Sequence, residues 1–160
     1  MNEKEFQKLI KKDKYQVFLF SSQLPYPLNF IIHTWFVTSN KGKISRWEIW
    51  QSKNKCKTSW NHLHLNLFPT SEGMRKSYFT SKYIYNSTLI NKIEGNKNST
   101  AHKMLNLIEK ESKNYPYNNK YFPFPGPNSN TFTQWIIDQF PKANFKLPKN
   151  ALGKKYEIKK

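Results

Sequence analysis

The chain is short of cysteine, arginine, acid and long apolar runs, and each shortage removes a class of explanation. The single cysteine, Cys56, excludes an intrachain disulfide, so the 160 residues must be held by burial alone. No apolar run approaches the ~20 residues of a membrane span. Met1 to Lys14 alternates charge with single apolar side chains and lacks the apolar core of a signal peptide. The expectation is a soluble, cytoplasmic protein. Lysine and arginine number 27 against 10 Asp and Glu, a net charge of +17. Only Arg46 and Arg75 of these are arginine, the side chain suited to bidentate phosphate and base contacts. The charge therefore reads as a solvated lysine surface. Nucleic acid is a disfavoured partner, although a basic chain adheres to polyanions through counterion release.

Aromatic residues, by contrast, make up 16% of the chain, enough to build a core from Phe, Tyr and Trp. No internal repeat or linker interrupts it, and one domain over residues 1–160 is expected, closing in a short basic tail at 157–160. Phe6, Leu9 and Ile10 mark a short amphipathic helix within residues 2–14. Tyr15 to Phe20 is a first strand. Phe30 to Thr38 and Ile44 to Trp50 form a β-hairpin around the turn cluster Ser39 to Lys43. Residues 76–93 hold one or two strands. Ser99 caps a helix running to about Lys113, from which His102 points to solvent. Strands come first and helices last, an α+β pattern of an antiparallel sheet with helices packed on it.

The segment from Tyr121 to Phe140 organises the chain. Pro123, Pro125 and Pro127 with Gly126 forbid a helix before Asn128. Phe132, Trp135, Ile136 and Phe140 then recur at helical spacing as a core-facing stripe. Asn128, Ser129 and Asn130 are all good N-caps, so the helix begins among them. A small hydroxyl is thereby held where unpaired N–H groups and the helix dipole favour negative charge. The same residues would serve equally as the caps of an ordinary core helix.

Two further groups carry chemistry. His33 on the first hairpin strand and Glu48 on the second share a sheet face if the loop has two or four residues, and lie on opposite faces if it has three. Spacing alone does not choose. His62 and His64 alternate with Leu63 and Leu65 on one strand, but no third or fourth metal ligand stands at a recognisable spacing, so neither a metal nor another cofactor is expected.

His33-Thr34-Trp35, Trp47-Glu48-Ile49, Tyr115-Pro116-Tyr117, Gly126 through Phe132, and Leu147-Pro148 with Ala151 to Lys154 and Tyr156 together resemble a family of uncharacterised bacterial proteins, the domain-of-unknown-function 3750 family. The resemblance covers roughly residues 28 to 156 and is less clear over 1–27. Lys155 stands where the family often has aspartate. A fainter resemblance is to circularly permuted members of the NlpC/P60 papain-like superfamily. These present a histidine on a strand, a polar orienter on the paired strand and later a cysteine at a helix N-terminus. The matching order here is His33, Glu48 and Ser129, with serine in place of cysteine. That resemblance implies a papain-like arrangement and a hydrolase or acyltransferase acting on a small-molecule, peptide or acyl ligand. Ser129 would be the nucleophile, His33 its base and Glu48 the orienter. The N–H groups around Asn130 and Thr131 with the Asn128 amide would steady an oxyanion. The alternative is a non-catalytic module in which Gly126, Asn128, Asn130 and Thr131 hold an anionic group at the helix end.

Overall fold

The computed structural model of the protein describes residues 1–157; Ile158, Lys159 and Lys160 of the basic tail lie outside the described residues, as does the Ser81 side chain. Among the described residues the eight strands are β1 (Tyr15–Gln23), β2 (Ile32–Asn40), β3 (Lys43–Ile49), β4 (Ser59–Trp60), β5 (Leu63–Leu65), β6 (Glu72–Ser77), β7 (Thr80–Asn86) and β8 (Thr88–Gly95). The helices are α1 (Glu3–Gln7), α2 (Thr100–Asn106) and α3 (Ser129–Asp138). Six strands form one antiparallel sheet in the order β4-β5-β3-β2-β1-β8, and β6 pairs with β7 separately. The fold is α+β.

Covering both faces of the sheet explains the apolar run in β1. Val17 and Leu19 join Phe36, Met104, Leu105, Phe132 and Ile136 beneath α2 and α3. Phe18 and Phe20 turn the other way, to Phe6, Trp35 and Val37. A central strand packed on both sides needs no polar face. Helix α1 spans only five residues, shorter than its sequence pattern predicts; Phe6 is its buried residue, while Leu9 and Ile10 pack against the same cluster from the turns that follow. The Phe6 ring meets Phe18 and Phe20 edge-on at 5.1 and 5.5 Å between centroids.

The hairpin register, open at the level of sequence, is settled by the turn. Lys41 and Gly42 have φ of 51° and 90°, the two positive values of a type I′ loop. Asn40 then pairs with Lys43 and Val37 with Arg46. Alternation places His33, Trp35 and Val37 on one face of β2, together with Arg46 and Glu48 of β3.

Several local expectations are corrected. Residues 72–95 form three strands rather than one or two. The helix expected from Ser99 to about Lys113 is present, α2 being extended by a π turn at Leu107–Glu111 and a 3-10 turn at Ser112–Asn114. His102 does not face solvent freely: its ring centre lies 4.1 Å from that of Tyr15, and its Nδ1 accepts from the Asn98 N–H. Trp135 on α3 and Phe140 just beyond its end are only half-buried, whereas Ile137 is buried beside Phe132 and Ile136. No helix among the described residues is long and apolar enough to cross a membrane.

Candidate active site

Pairing between β2 and β3 stops at Phe36 and Trp47, after which β3 continues against β5. His33 and Glu48 lie at this parted end. His33 Nε2 is 2.9 Å from Glu48 Oε2, and His33 Nδ1 is 2.9 Å from Ser129 Oγ. The three residues are buried, with Glu48 fully so. Desolvation opposes the charged form of Glu48, but the adjacent Arg46 charge and the His33 hydrogen bond outweigh it and hold the carboxyl down at about 2. An ionised carboxylate only accepts, so the ring nitrogen that faces it, Nε2, carries the hydrogen. Nδ1 is then left with its lone pair toward the serine hydroxyl, which donates to it. Trp35 stacks on the imidazole at 5.7 Å between ring centres, and Trp50 meets it edge-on at 5.3 Å.

Arg46 is the member that sequence reasoning missed. It is 1% exposed. Its Nη2 donates to Glu48 Oε2 at 2.9 Å, while Nη1 donates to the carbonyls of Pro69 and Glu72 at 2.8 and 2.7 Å. Nε lies 2.8 Å from Glu48 Oε1, close enough to pair charges but not aligned as a hydrogen bond. The guanidinium sits 4.1 Å from the Trp35 ring centre and 5.4 Å from that of Phe68, a cation between two π faces. The usable signal was its i, i+2 spacing to Glu48 on one strand face, in a chain with only two arginines.

Ser129 is fixed by what surrounds it. Asn128 caps α3, its Oδ1 accepting from the N–H groups of Asn130 and Thr131 at 2.9 and 3.3 Å. The Asn130 amide donates to the carbonyls of Ile32 and Leu152, tying the helix start to the beginning of β2 and to the C-terminal segment. Thr34 Oγ1 donates to Asn130 Oδ1 at 2.8 Å and lies 2.7 Å from Thr133 Oγ1. Thr131 Oγ1 donates to the Gly153 carbonyl. Two glycines permit this wrapping. A Cβ on Gly153 (φ +91°) would fall 2.4 Å from Asn128 Nδ2, and one on Gly126 (φ +121°) 2.9 Å from Thr131 Oγ1.

The groups expected to bind an oxyanion are therefore occupied. The Asn130 and Thr131 N–H groups serve the cap, and the Asn128 amide donates to Pro123 and Leu152. Gly126 is buried against Thr131 and Tyr156. The N–H of Ser129 itself, at the first helical position, has no acceptor among the described residues. Beside His33 opens a cleft of about 150 Å³, walled by Leu24, Pro25, Leu28, Trp50 and Tyr121. The wall is largely apolar but also carries Gln51 and Arg75, and Ser129 is not part of it.

The remaining histidines hold loops. His62 Nδ1 donates to the Trp50 carbonyl, and His64 bridges Ser59 Oγ and the Ser52 carbonyl. Among the described residues no three His, Cys, Asp or Glu side chains are grouped to hold a metal ion.

No curated protein and no solved structure matches the chain significantly. A family model, described as a protein of unknown function (DUF3750), matches residues 14–156. The chain belongs to that family.

Proposed function

We propose that the protein is a serine acyl-hydrolase or acyltransferase with Ser129 as nucleophile, His33 as general base and Glu48 as orienter. The observation that carries this reading is the relay from Ser129 Oγ through His33 Nδ1 and Nε2 to Glu48, with both contacts at 2.9 Å. A serine hydroxyl needs a base within hydrogen-bond reach and a third group fixing that base. The chain order, histidine then carboxylate then a nucleophile at a helix start, is that of permuted papain-like enzymes of the NlpC/P60 type, with serine for cysteine. This arrangement is part of the proposal.

In the reaction, Ser129 Oγ attacks the acyl carbonyl while its proton passes to His33 Nδ1. The oxyanion is met by the Ser129 N–H at the positive end of α3. Collapse of the tetrahedral adduct expels the alcohol, amine or thiol, which takes the proton from His33. Water, or an acceptor alcohol or amine, then attacks the acyl-serine. Its proton goes to His33 and on to Ser129 Oγ as the acyl group leaves. Glu48 stays ionised throughout and stabilises the imidazolium.

A fluorophosphonate probe tests this. Covalent labelling of the wild type, lost in Ser129→Ala and sharply reduced in His33→Ala, is expected. A folded wild-type protein that resists the probe under conditions that label a known serine hydrolase would overturn the reading and leave Ser129–His33 as a structural hydrogen bond.

A further inference from the structure

The cleft beside His33 is ringed by segments that carry large apolar side chains into solvent. Leu24 and Leu28 come from the loop after β1, Tyr78 from the β6–β7 hairpin, and Tyr121 and Pro123 from the proline-rich segment before α3. Tyr26 N–H donates to the Lys76 carbonyl, so the first two segments are joined at the rim. Phe30, Phe79 and Phe124, on the same three segments, are 65%, 90% and 71% exposed. Exposed aromatics gathered on loop tips mark an interaction surface.

The charged side chains on these rim segments are all basic, although Glu157 shares a cavity wall with Phe124. Residues 51–58, 74–86 and 120–127 carry lysine or arginine, residues 23–30 carry no charged side chain, and none of the four segments holds aspartate or glutamate. Lys53, Lys55, Lys76 and Lys120 are all exposed. Apolar tips set among lysines suit a surface that is anionic outside and hydrocarbon beneath. Aromatic rings settle at the headgroup level, and lysines reach the lipid phosphates. Duplex nucleic acid, whose bases are already stacked and paired, would match the lysines but would leave the phenylalanines in water.

We infer that this face docks on anionic phospholipid membranes, and that the acyl group delivered to Ser129 is the fatty-acyl ester of a lipid drawn from that surface. The substrate part rests on the proposed acyl chemistry, whereas the docking part does not. The narrow cleft, apolar apart from Gln51 and Arg75, accommodates a slender acyl chain better than a branched peptide. The step is the one already balanced: the ester's acyl carbonyl is attacked, the lysolipid alcohol leaves with the His33 proton, and water releases the free fatty acid.

The test is co-sedimentation of the full chain with phosphatidylcholine vesicles, with and without phosphatidylglycerol, followed by assay of fatty-acid release. Binding only to the anionic vesicles is expected, unchanged in Ser129→Ala and weakened about tenfold or more in a Phe30→Ser, Phe79→Ser double variant. The double variant should lose fatty-acid release from vesicles but keep turnover of a water-soluble short-chain ester, which shows that its site is intact. Absence of vesicle binding overturns the docking surface, even if the fluorophosphonate labels Ser129. Binding without labelling or fatty-acid release keeps the surface and removes the lipid substrate. Binding that the double variant leaves unchanged, and that duplex DNA competes away, assigns the lysines to nucleic acid and overturns the inference. A wild-type dimer in light scattering that the double variant dissolves would also overturn it, since the face then covers a second copy.

Discussion

Arg46 and Glu48 stand two positions apart on β3 and form an ion pair closed off from water, at 1% and 0% exposure. Such a pair stabilises little relative to a hydrophobic substitute, but losing one partner strands a buried charge. Arg46→Ala and Glu48→Ala should each lower stability by ~3–5 kcal/mol in urea denaturation. Arg46→Lys should recover only a fraction, because an ammonium cannot serve Glu48 and the two carbonyls while stacking on Trp35. A loss below about 1 kcal/mol in Arg46→Ala would place the pair in the class of exposed salt bridges and refute its role in holding Glu48.

Acid should act on the same pair. The Glu48 carboxyl sits at about 2 in the folded protein, against an ordinary value of 4.5. As pH falls the unfolded chain takes up this proton first, so its contribution to stability is complete above about 4.5 and drains away between there and about 2. Wild-type stability should therefore decline more steeply across that window than that of Glu48→Gln. Parallel curves for the two proteins would show that Glu48 does not supply the acid sensitivity.

Ser129→Cys should convert the site to thiolate chemistry. A thiol at the start of α3 and facing His33 Nδ1 has its pKa lowered by the dipole and by imidazolium formation. The variant should react with iodoacetamide at neutral pH faster than Cys56, which serves as the internal reference, and His33→Ala should slow it. Equal rates at the two cysteines would mean that the helix end and the imidazole do not act on position 129.

Core substitutions should rank by burial rather than by ring size. Phe132 is fully buried, so Phe132→Ala should cost ~3–5 kcal/mol. Trp135 is half-buried over Tyr115, and its replacement by Ala should cost less despite the larger ring. Thermal denaturation of the two variants settles the order. A greater loss at Trp135 would restore the helical stripe expected from periodicity.

How much of this was legible follows from where each determinant lies. β1, the β2–β3 hairpin and the start of α3 are local in origin: a continuous apolar run, a Lys41-Gly42 turn, and prolines ending at an asparagine cap. The sharing of a face by His33 and Glu48 hinged on loop length, since turn-cluster sequences admit several registers. Arg46 was legible only through its i, i+2 spacing to Glu48; its burial depends on distant partners, here Trp35, Phe68 and two carbonyls. The side-chain ties of Asn128, Asn130 and Thr131 were illegible for a similar reason. Their acceptors on Ile32, Leu152 and Gly153 belong to other parts of the chain.

The strand of backbone at Leu152 and Gly153 closes over the first turn of α3 like a clasp. Synthesis reaches these residues after every group in the Ser129, His33 and Glu48 relay has already been made. A nascent chain thus holds all three side chains before anything secures the serine in place, and the relay matures only when the last loop has emerged.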